Sequence, residues 1–542
     1  MDEYNYINPL ANKKDESYFA LISTELDNLL IRVVGTKTEE FIPNLSFKTS
    51  NEQKFVSDIP ILFKENFKAV IIDIFPYQTK DYGNNIVFCM ILRGAFEILN
   101  IPYYFVSGPI KNFTSLLIAT NVNPKLNEIY LLILIDNNNK LAAVELKYTE
   151  NGYIESSHRL LTIDIKESAE EIRSKIVKDC NPKKIIISAL PGNTILKHLR
   201  TNVLKSKKLI VLEALFTHYI DKFLVEIGRW LLDKSYVKFF IQPHCARRII
   251  IFAMSGAKNR IILSAEIKDP LPLKKTITVP KSHLDYFMIF VEDKTGESKL
   301  LYELEMKKTC HRHEITLTVD EDNFPDKQVK EIILDEIKNL PENLDKHFAS
   351  KFPVIGIFDE SAVICINKNG KYEFLESWNG VYGTPLIINF SSEKHTIGDK
   401  AIQQLEDPDS EKHTIGDKAI QQLEDPEYIV YDLIKIMSME PDKIKIDESW
   451  TFTITEDSEN PVLLEFDSFD GTKKAASPSF LMALILKEIR KLIKVEIGKK
   501  PKKLGFWIFE DSKYTKEELK RIQMQITESC QALKIECEFI KF

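Results

Sequence analysis

The short run Cys310-His311-Arg312-His313 gathers metal-capable side chains, and with His244 and Cys245 it offers a set of thiols and imidazoles of the kind zinc uses. Zinc motifs want paired spacings at both ends, and these residues lack them, so metal binding is not expected. No nucleophile elbow or other local signature of a Ser-His-Asp hydrolase is present. Phosphate chemistry on glycine loops has little material, because 18 glycines in 542 residues is roughly 3% where about 7% is usual. Two polar turns remain. Asp359 and Glu360 place adjacent carboxylates in a hairpin, suited to a cation or simply to solvent, and Asn137-Asn138-Asn139 in "DNNNK" reads as a turn whose asparagines tolerate positive φ.

The elements that must position these residues follow from length and patterning. At 542 residues the chain is too long for one core, which predicts two to four domains. Hydrophobic residues at 44% and charged residues at 28% are those of a globular protein. A net charge of −7 with no long basic run gives no electrostatic footprint for nucleic acid. No run of eighteen apolar residues occurs, and the start "MDEYNYINPLANKKDESYF" lacks a basic and an apolar region, so neither a membrane span nor a secretory signal is expected. Seven scattered cysteines fit buried thiols in a reducing, cytoplasmic setting.

Tyr18 to Phe47 reads as a strand, a polar turn, a second strand and a short third one; "KAVIIDIFPY" is a buried strand and "NNIVFCMILRGAFEILN" a helix. The run "YYF" at Tyr103 to Phe105 reads as strand core. A hairpin at Ile129 to Leu146 and a strand at Lys183 to Leu190 continue the alternation, which argues for α/β domains. From about Tyr236 to Val319 the β-branched runs "YVKFFIQ", "RRIIIFAM", "RIILSAEI", "KKTITVP", "YFMIFVED" and "HEITLTV" suggest a β-sandwich-like module. "PDKQVKEIILDEIKNLPENLDKHFASKFP" reads as a helix and linker, and a second α/β unit starts at "VIGIFDESAVICINKNGKYEFLES".

The segment Gly356 to Pro408 resembles the start of the nucleotide-binding domain of the 70-kDa heat-shock protein family, through the strand Val354 to Ile357, the turn "KNGK", Thr384 and Pro385 before "LIINF", and "IGD" at Ile397 to Asp399. "DGTKKAASPSFLMALILKEIRKLI" is similar to that family's turn, proline and long helix, and the segment from Lys503 to Phe542 to its succeeding strand and helix. The chain stops where the family enters its second phosphate loop. The first half resembles a compressed copy, with "IPNLSF" in place of "TPLIINF", Leu131 to Leu146 as the second phosphate hairpin, Lys183 to Leu199 as the adenosine strand and helix, and Pro270 to Asp293 like the peptide-binding β-module. The implied fold is α/β, with actin-like ATPase (ribonuclease H-like) lobes and a β-sandwich-like peptide-binding module between two nucleotide-domain-like units. The implied boundaries are residues 1–221 for the first unit, 222–325 for the β-rich module, 326–352 for the helix and linker, and 353–542 for the front lobe of the second unit.

Membership would imply an ATP-dependent chaperone of the stress response that binds unfolded or extended peptides, works with co-chaperones and uses ATP or ADP with magnesium. By that resemblance the nucleotide-binding positions are Ser23, Thr24, Asn137, Asn138, Asn139, Asp359, Glu360 and Ser361; no catalytic residue and no metal ligand is assigned. The loops depart from the family pattern. Ser23 to Asp27 and Phe358 to Ala362 lack the loop glycine, asparagine side chains fill the second loop, Ser188-Ala189-Leu190 replaces paired glycines, and Ile434 takes the lysine position with Lys435 beside it. A β-carbon blocks close backbone approach to phosphate and a carboxylate repels it, so together these residues argue against ordinary ATP hydrolysis. The competing readings are a non-catalytic scaffold or peptide-binding protein and a decayed gene product.

Seventeen residues occur twice, Ser392 to Pro408 and Ser410 to Pro426, an 18-residue tandem duplication spanning 393–428. One copy of "IGDKAIQQLEDP" suits a short helix, capped by Asp399, with Ile402 and Leu405 on one face and Pro408 at its end. The other copy is surplus and is expected to be extruded.

Overall fold

The computed structural model describes residues 14–136, 140–214, 216–255, 258–291, 296–398, 400, 428–509 and 514–542. Its first sheet comprises β1 (Tyr18–Glu25), β2 (Asn28–Gly35), β3 (Phe47–Thr49), β4 (Phe67–Asp73) and β5 (Tyr103–Phe105), in the order β3-β2-β1-β4-β5. The β1–β2–β3 run is antiparallel, whereas β4 and β5 join in parallel. The second sheet repeats this order as β8-β7-β6-β9-β10, from β6 (Ile129–Ile135), β7 (Lys140–Thr149), β8 (Gly152–Thr162), β9 (Lys184–Ser188) and β10 (Leu209–Leu212).

Period-two alternation decides what each sheet faces. On β1, Tyr18, Ala20 and Ile22 join the core under α1 (Glu52–Leu62) and α2 (Asn85–Ile98), with Phe55, Phe63, Phe88 and Phe96. Phe19 and Leu21 point the other way, into a core shared with the second lobe. On β6, Tyr130 and Leu132 enter that shared core, and Leu131 and Ile133 face Ile172 of α4 (Ala169–Val177) and Ile195 of α5 (Thr194–His198). Two helices fill the space between the sheets: α3 (Gly108–Ala119) through Ile110, Phe113 and Leu116, and α6 (Ile220–Leu232) through Phe223, Leu224 and Ile227. Strands covered on both faces need apolar residues throughout, which is why "YFALIS" and "AVIID" read as continuous runs. Gly228 lets α6 lie directly on β1, since a β-carbon there would stand 2.7 Å from the Phe19 ring.

The β-module packs β12-β11-β14-β15 against β13-β16-β17, formed by β11 (Arg248–Ser255), β12 (Lys258–Ala265), β13 (Leu273–Pro280), β14 (Asp285–Val291), β15 (Ser298–Leu304), β16 (Arg312–Val319) and β17 (Pro325–Ile332). Ile249, Ile251, Met288, Phe290, Ile315 and Leu317 make its core, joined by Ile86 of α2. Two expected boundaries move. Residue 221 lies inside α6, whose apolar face belongs to the lobes, so the first unit runs at least to Leu232. Pro325–Ile332 is the edge strand of the module, paired with β16 along its whole length, so the helix and linker begin only after Ile332, as Asp335–Lys338 and Leu340–His347. "YVKFFIQ" forms no strand beyond a single bridge from Ile241 to Tyr153; Phe239 and Ile241 are buried in the shared core of the lobes.

The C-terminal unit uses the same strand order a third time. It runs β20-β19-β18, from β18 (Val354–Phe358), β19 (Ser361–Lys368) and β20 (Lys371–Phe374), followed by the parallel strands Lys503–Ile508 and Glu536–Phe539. Helices Pro478–Ile497 and Lys516–Ala532 cover it, each started by a hydroxyl cap, Ser477 and Thr515. Ile388–Asn389 pairs with Thr396–Ile397 on one side and Ile429–Val430 on the other. Thr396–Ile397 belongs to the first copy of the repeat. Asp399, Ile402, Leu405, Pro408 and the whole second copy lie outside the described residues. Among the described residues no helix is long and apolar enough to cross a membrane.

Candidate functional site

The expected first phosphate loops are closed hairpin turns. The β1–β2 ladder continues to the pair Glu25 and Asn28, leaving Leu26 and Asp27 as the turn, with Leu26 at φ 55° and exposed to solvent. Ser23 and Thr24 are ladder residues, and the buried Ser23 hydroxyl donates to Leu30 O at 3.4 Å. Ser23 lies opposite Asp73 at the end of β4, and the Asp73 carboxylate bonds Lys111 of α3. A phosphate grip needs backbone N–H groups turned outward, whereas here the amides beside the turn are spent on the ladder.

The β18–β19 hairpin is just as tight, with Phe358 paired to Ser361 and only Asp359 and Glu360 between them. Asp359, at φ 46°, is 8% exposed and takes a bidentate ion pair from Arg312 of β16, with Nε–Oδ2 at 2.7 Å and Nη2–Oδ1 at 3.0 Å. Glu360 accepts the N–H groups of Ile434 (3.1 Å) and Lys435 (2.9 Å), and so caps helix Leu433–Ser438. Ser361 is buried and pairs with Pro385. The three residues therefore tie the C-terminal unit to its own helix and to the β-module.

Further ties surround that ion pair. Lys281 is 4% exposed and its ammonium donates to Tyr382 O at 2.8 Å and Gly383 O at 2.7 Å. Gly383 has φ +65°, and a β-carbon there would meet Ala362 O at 2.5 Å, so only glycine brings this carbonyl into place. His311 receives the Leu334 N–H on Nδ1 at 2.8 Å, which leaves Nε2 to carry the proton toward Val381 O at 2.8 Å. Burial pulls its basicity down, consistent with a neutral ring. Cys310 Sγ lies 3.2 Å from His313 Nε2, and among the described residues no group of three or more His, Cys, Asp or Glu side chains is arranged to hold a metal ion.

Lys435, beside the expected lysine position, bonds Asp447 at 2.6 Å, and Arg260 of β12 reaches the same carboxylate at 3.1 Å. Burial opposes ionisation of Asp447, but the hydrogen bonds from Lys435 and Ser449 outweigh it and hold the carboxyl far below its usual range. A cavity of about 240 Å³ opens here, bordered by Glu360, Asp432, Lys435, Ser449, Lys281 and His283. Burial alone drops His283 to about 4, so its ring is neutral at physiological pH.

At the strand ends of the second sheet, beside α3, a cavity of about 680 Å³ is bordered by Asp136 and Lys140, by Ser188, Ala189 and Leu190 at the end of β9, and by Asn112 of α3. The flanks of the expected second loop and the end of the expected adenosine strand thus do come together, whereas Asn137, Asn138 and Asn139 lie outside the described residues. Ser23 and Thr24 are not among the residues bordering it, and Asp359, Glu360 and Ser361 belong to a different unit. Most of its wall is leucine, isoleucine and alanine; among the described residues Lys140 is its one cationic side chain, set beside the carboxylate of Asp136. The residues present do not fit a magnesium-bound triphosphate, which needs cations and outward amides in excess of carboxylates. Sequence reasoning gave Arg312 and Lys281 no role; the one available signal was a cationic side chain beside a β-branched run, at a module edge. Compared with known families and curated proteins, the chain matches no family model and no curated sequence.

Proposed function

We propose that the chain is a divergent heat-shock-70-like protein in which actin-like lobes serve as a non-hydrolysing scaffold for a β-module that binds extended, unfolded peptides. Support for the fold part is the recurrence of one strand order in three sheets, with α3 and α6 enclosed between the first two. Support for the peptide part is the two-sheet module and the mixed apolar character of its 4-stranded sheet. Ile250, Phe252, Met254 and Ile289 form a second, buried apolar cluster on the face opposite its core, and the partly buried Phe287, Val291 and Leu300 at its margin are the side chains an extended apolar peptide would meet. The seven cysteines are all free, in keeping with action in the cytoplasm.

The observation that carries the non-hydrolysing reading is the Asp359–Arg312 pair. A carboxylate expected beside nucleotide is neutralised bidentately by another unit and closed in a two-residue turn. Such a pair fixes the carboxylate on the β-module rather than beside a phosphate. Single-turnover incubation with magnesium and labelled ATP tests this: no phosphate release above the buffer rate is expected. Release that the Asp359→Asn variant abolishes while remaining folded would restore the ATPase reading.

A further inference from the structure

A cavity of about 240 Å³ lies where both lobes and the β-module meet, apart from the cavity at the end of β9 and from the Asp359 junction. The first lobe supplies Phe75 and the start of α3, the second supplies Glu155 and His158 from β8, and the module side supplies Arg247 and Lys268. Its volume is below the roughly 300 Å³ at which drug-sized sites begin, so only a fragment-sized molecule fits.

The polar end of this cavity is built on Ser107, the N-cap of α3. An N-cap serine ordinarily accepts from the second or third helical N–H, but here the second position is Pro109, which has none, and no cap bond forms. Ser107 is 6% exposed, and its buried hydroxyl has no hydrogen-bond partner. A hydroxyl left so costs roughly 1 to 3 kcal/mol, and native structures keep few of them. The Gly108 amide precedes the first intrahelical bond, from Lys111 N–H to Ser107 O, and carries the positive end of a twelve-residue helix. Hydroxyl and amide thus present two donors and a partial positive charge to the same space.

The charges around them favour a single negative group. Lys268 and Arg247 border the cavity, with the Arg247 guanidinium 4.7 Å from the Phe75 ring centre. The one carboxylate among the described lining residues, Glu155, is engaged by His158 Nδ1 at 3.1 Å. That carboxylate opposes a dianion such as phosphate, and much of the remaining wall is proline, isoleucine, valine and phenylalanine. An apolar body with one carboxylate matches both halves.

We infer that this cavity is a binding site for a small monocarboxylate with an apolar or aromatic body. Its carboxylate sits on Ser107 Oγ and the α3 N-terminus, and its body lies against Phe75 and Phe290. Because three units line the cavity, occupancy ties them together, and the ligand raises the stability of the whole assembly by mass action. Calorimetric titration of the full chain with benzoate, and with benzamide as its uncharged counterpart, tests the site. Benzoate is expected to bind saturably at millimolar concentration and at least tenfold more tightly than benzamide. Ser107→Ala and, separately, Lys268→Gln are each expected to weaken benzoate fivefold or more; Ser107→Ala should also raise the ligand-free melting temperature, because it removes the unpartnered hydroxyl, whereas Lys268→Gln should leave that curve unchanged. Absence of saturable heat, equal binding of benzamide, or full benzoate affinity in both variants would overturn the assignment.

Discussion

Replacing Arg312 by methionine isolates the contact on which the junction between the β-module and the C-terminal unit depends. The Arg312 side chain is 18% exposed and that of Asp359 6%, so removing the cation takes a bidentate partner from a carboxylate that water barely reaches. Two unit charges about 4 Å apart attract by about 4 kcal/mol at an effective dielectric of about 20, and stranding one partner of a buried pair costs about 3 to 5 kcal/mol. Arg312→Met should therefore cost about 3 kcal/mol. Asp359→Asn should cost about 2, because the longer arginine can turn to solvent. The double variant should cost about 3 in all, since it strands no charge, which corresponds to a coupling of about 2 kcal/mol. Three of the four tryptophans, Trp378, Trp450 and Trp507, lie in the C-terminal unit, so the denaturant midpoint of their fluorescence reports this junction. Single-variant losses under about 0.5 kcal/mol, or strict additivity, would show that Asp359 is not held by Arg312 and is available for a ligand.

Three more perturbations probe other parts of the fold. Asp322 accepts the Phe105 N–H at 3.1 Å where the β16–β17 turn meets the first lobe, and burial raises its pKa from 3.8 to about 6. A raised carboxyl favours the protonated folded state, so its contribution is full below 3.8 and is lost as pH rises through about 6; Asp322→Asn should stabilise by about 3 kcal/mol at pH 8 and be neutral at pH 4 in paired urea titrations. Gly228→Val puts a branched side chain into the Phe19 ring and should lower stability by about 2 kcal/mol, seen as a lower melting temperature. Deleting residues 409–426 removes one repeat copy between Thr396–Ile397 and Ile429–Val430, which both pair with Ile388–Asn389; the melting temperature should not fall, and a large loss would mean that the second copy contributes to folding.

The three sheets were legible because their central strands are buried on both faces and their hairpins end in polar turns, so apolar runs and punctuation coincide. The first two strands of Tyr18 to Phe47 and the hairpin strands of Ile129 to Leu146 fold as their patterns imply, whereas the expected third strand is displaced: Pro43–Leu45 is a 3-10 turn and β3 begins only at Phe47. The edge strand Pro325–Ile332 misled for a physical reason. Asp326, Gln328 and Lys330 alternate on the face toward water, with Glu331 beside them, and such a polar edge strand shares its composition with an amphipathic helix. "YVKFFIQ" misled in the opposite sense, since aromatic residues that anchor a connector look like strand residues until their neighbours are known. Site geometry was least legible. Asp359 and Glu360 were visible as paired carboxylates, but their partners Arg312, Ile434 and Lys435 stand 47 to 75 positions away in sequence, and nothing local fixes that pairing. The same holds for "CHRH". Its composition points to metal chemistry, whereas Arg312 and His311 dock the next unit and Cys310 contacts His313.

The scaffold reading rests on a β-module that binds extended peptide without coupling to nucleotide. Fluorescence anisotropy of a labelled, extended apolar peptide titrated with the full chain, with and without magnesium and ATP, measures both halves at once. Saturable binding with an affinity that nucleotide leaves unchanged is the predicted result. No binding, or an affinity that ATP shifts tenfold or more, would contradict it.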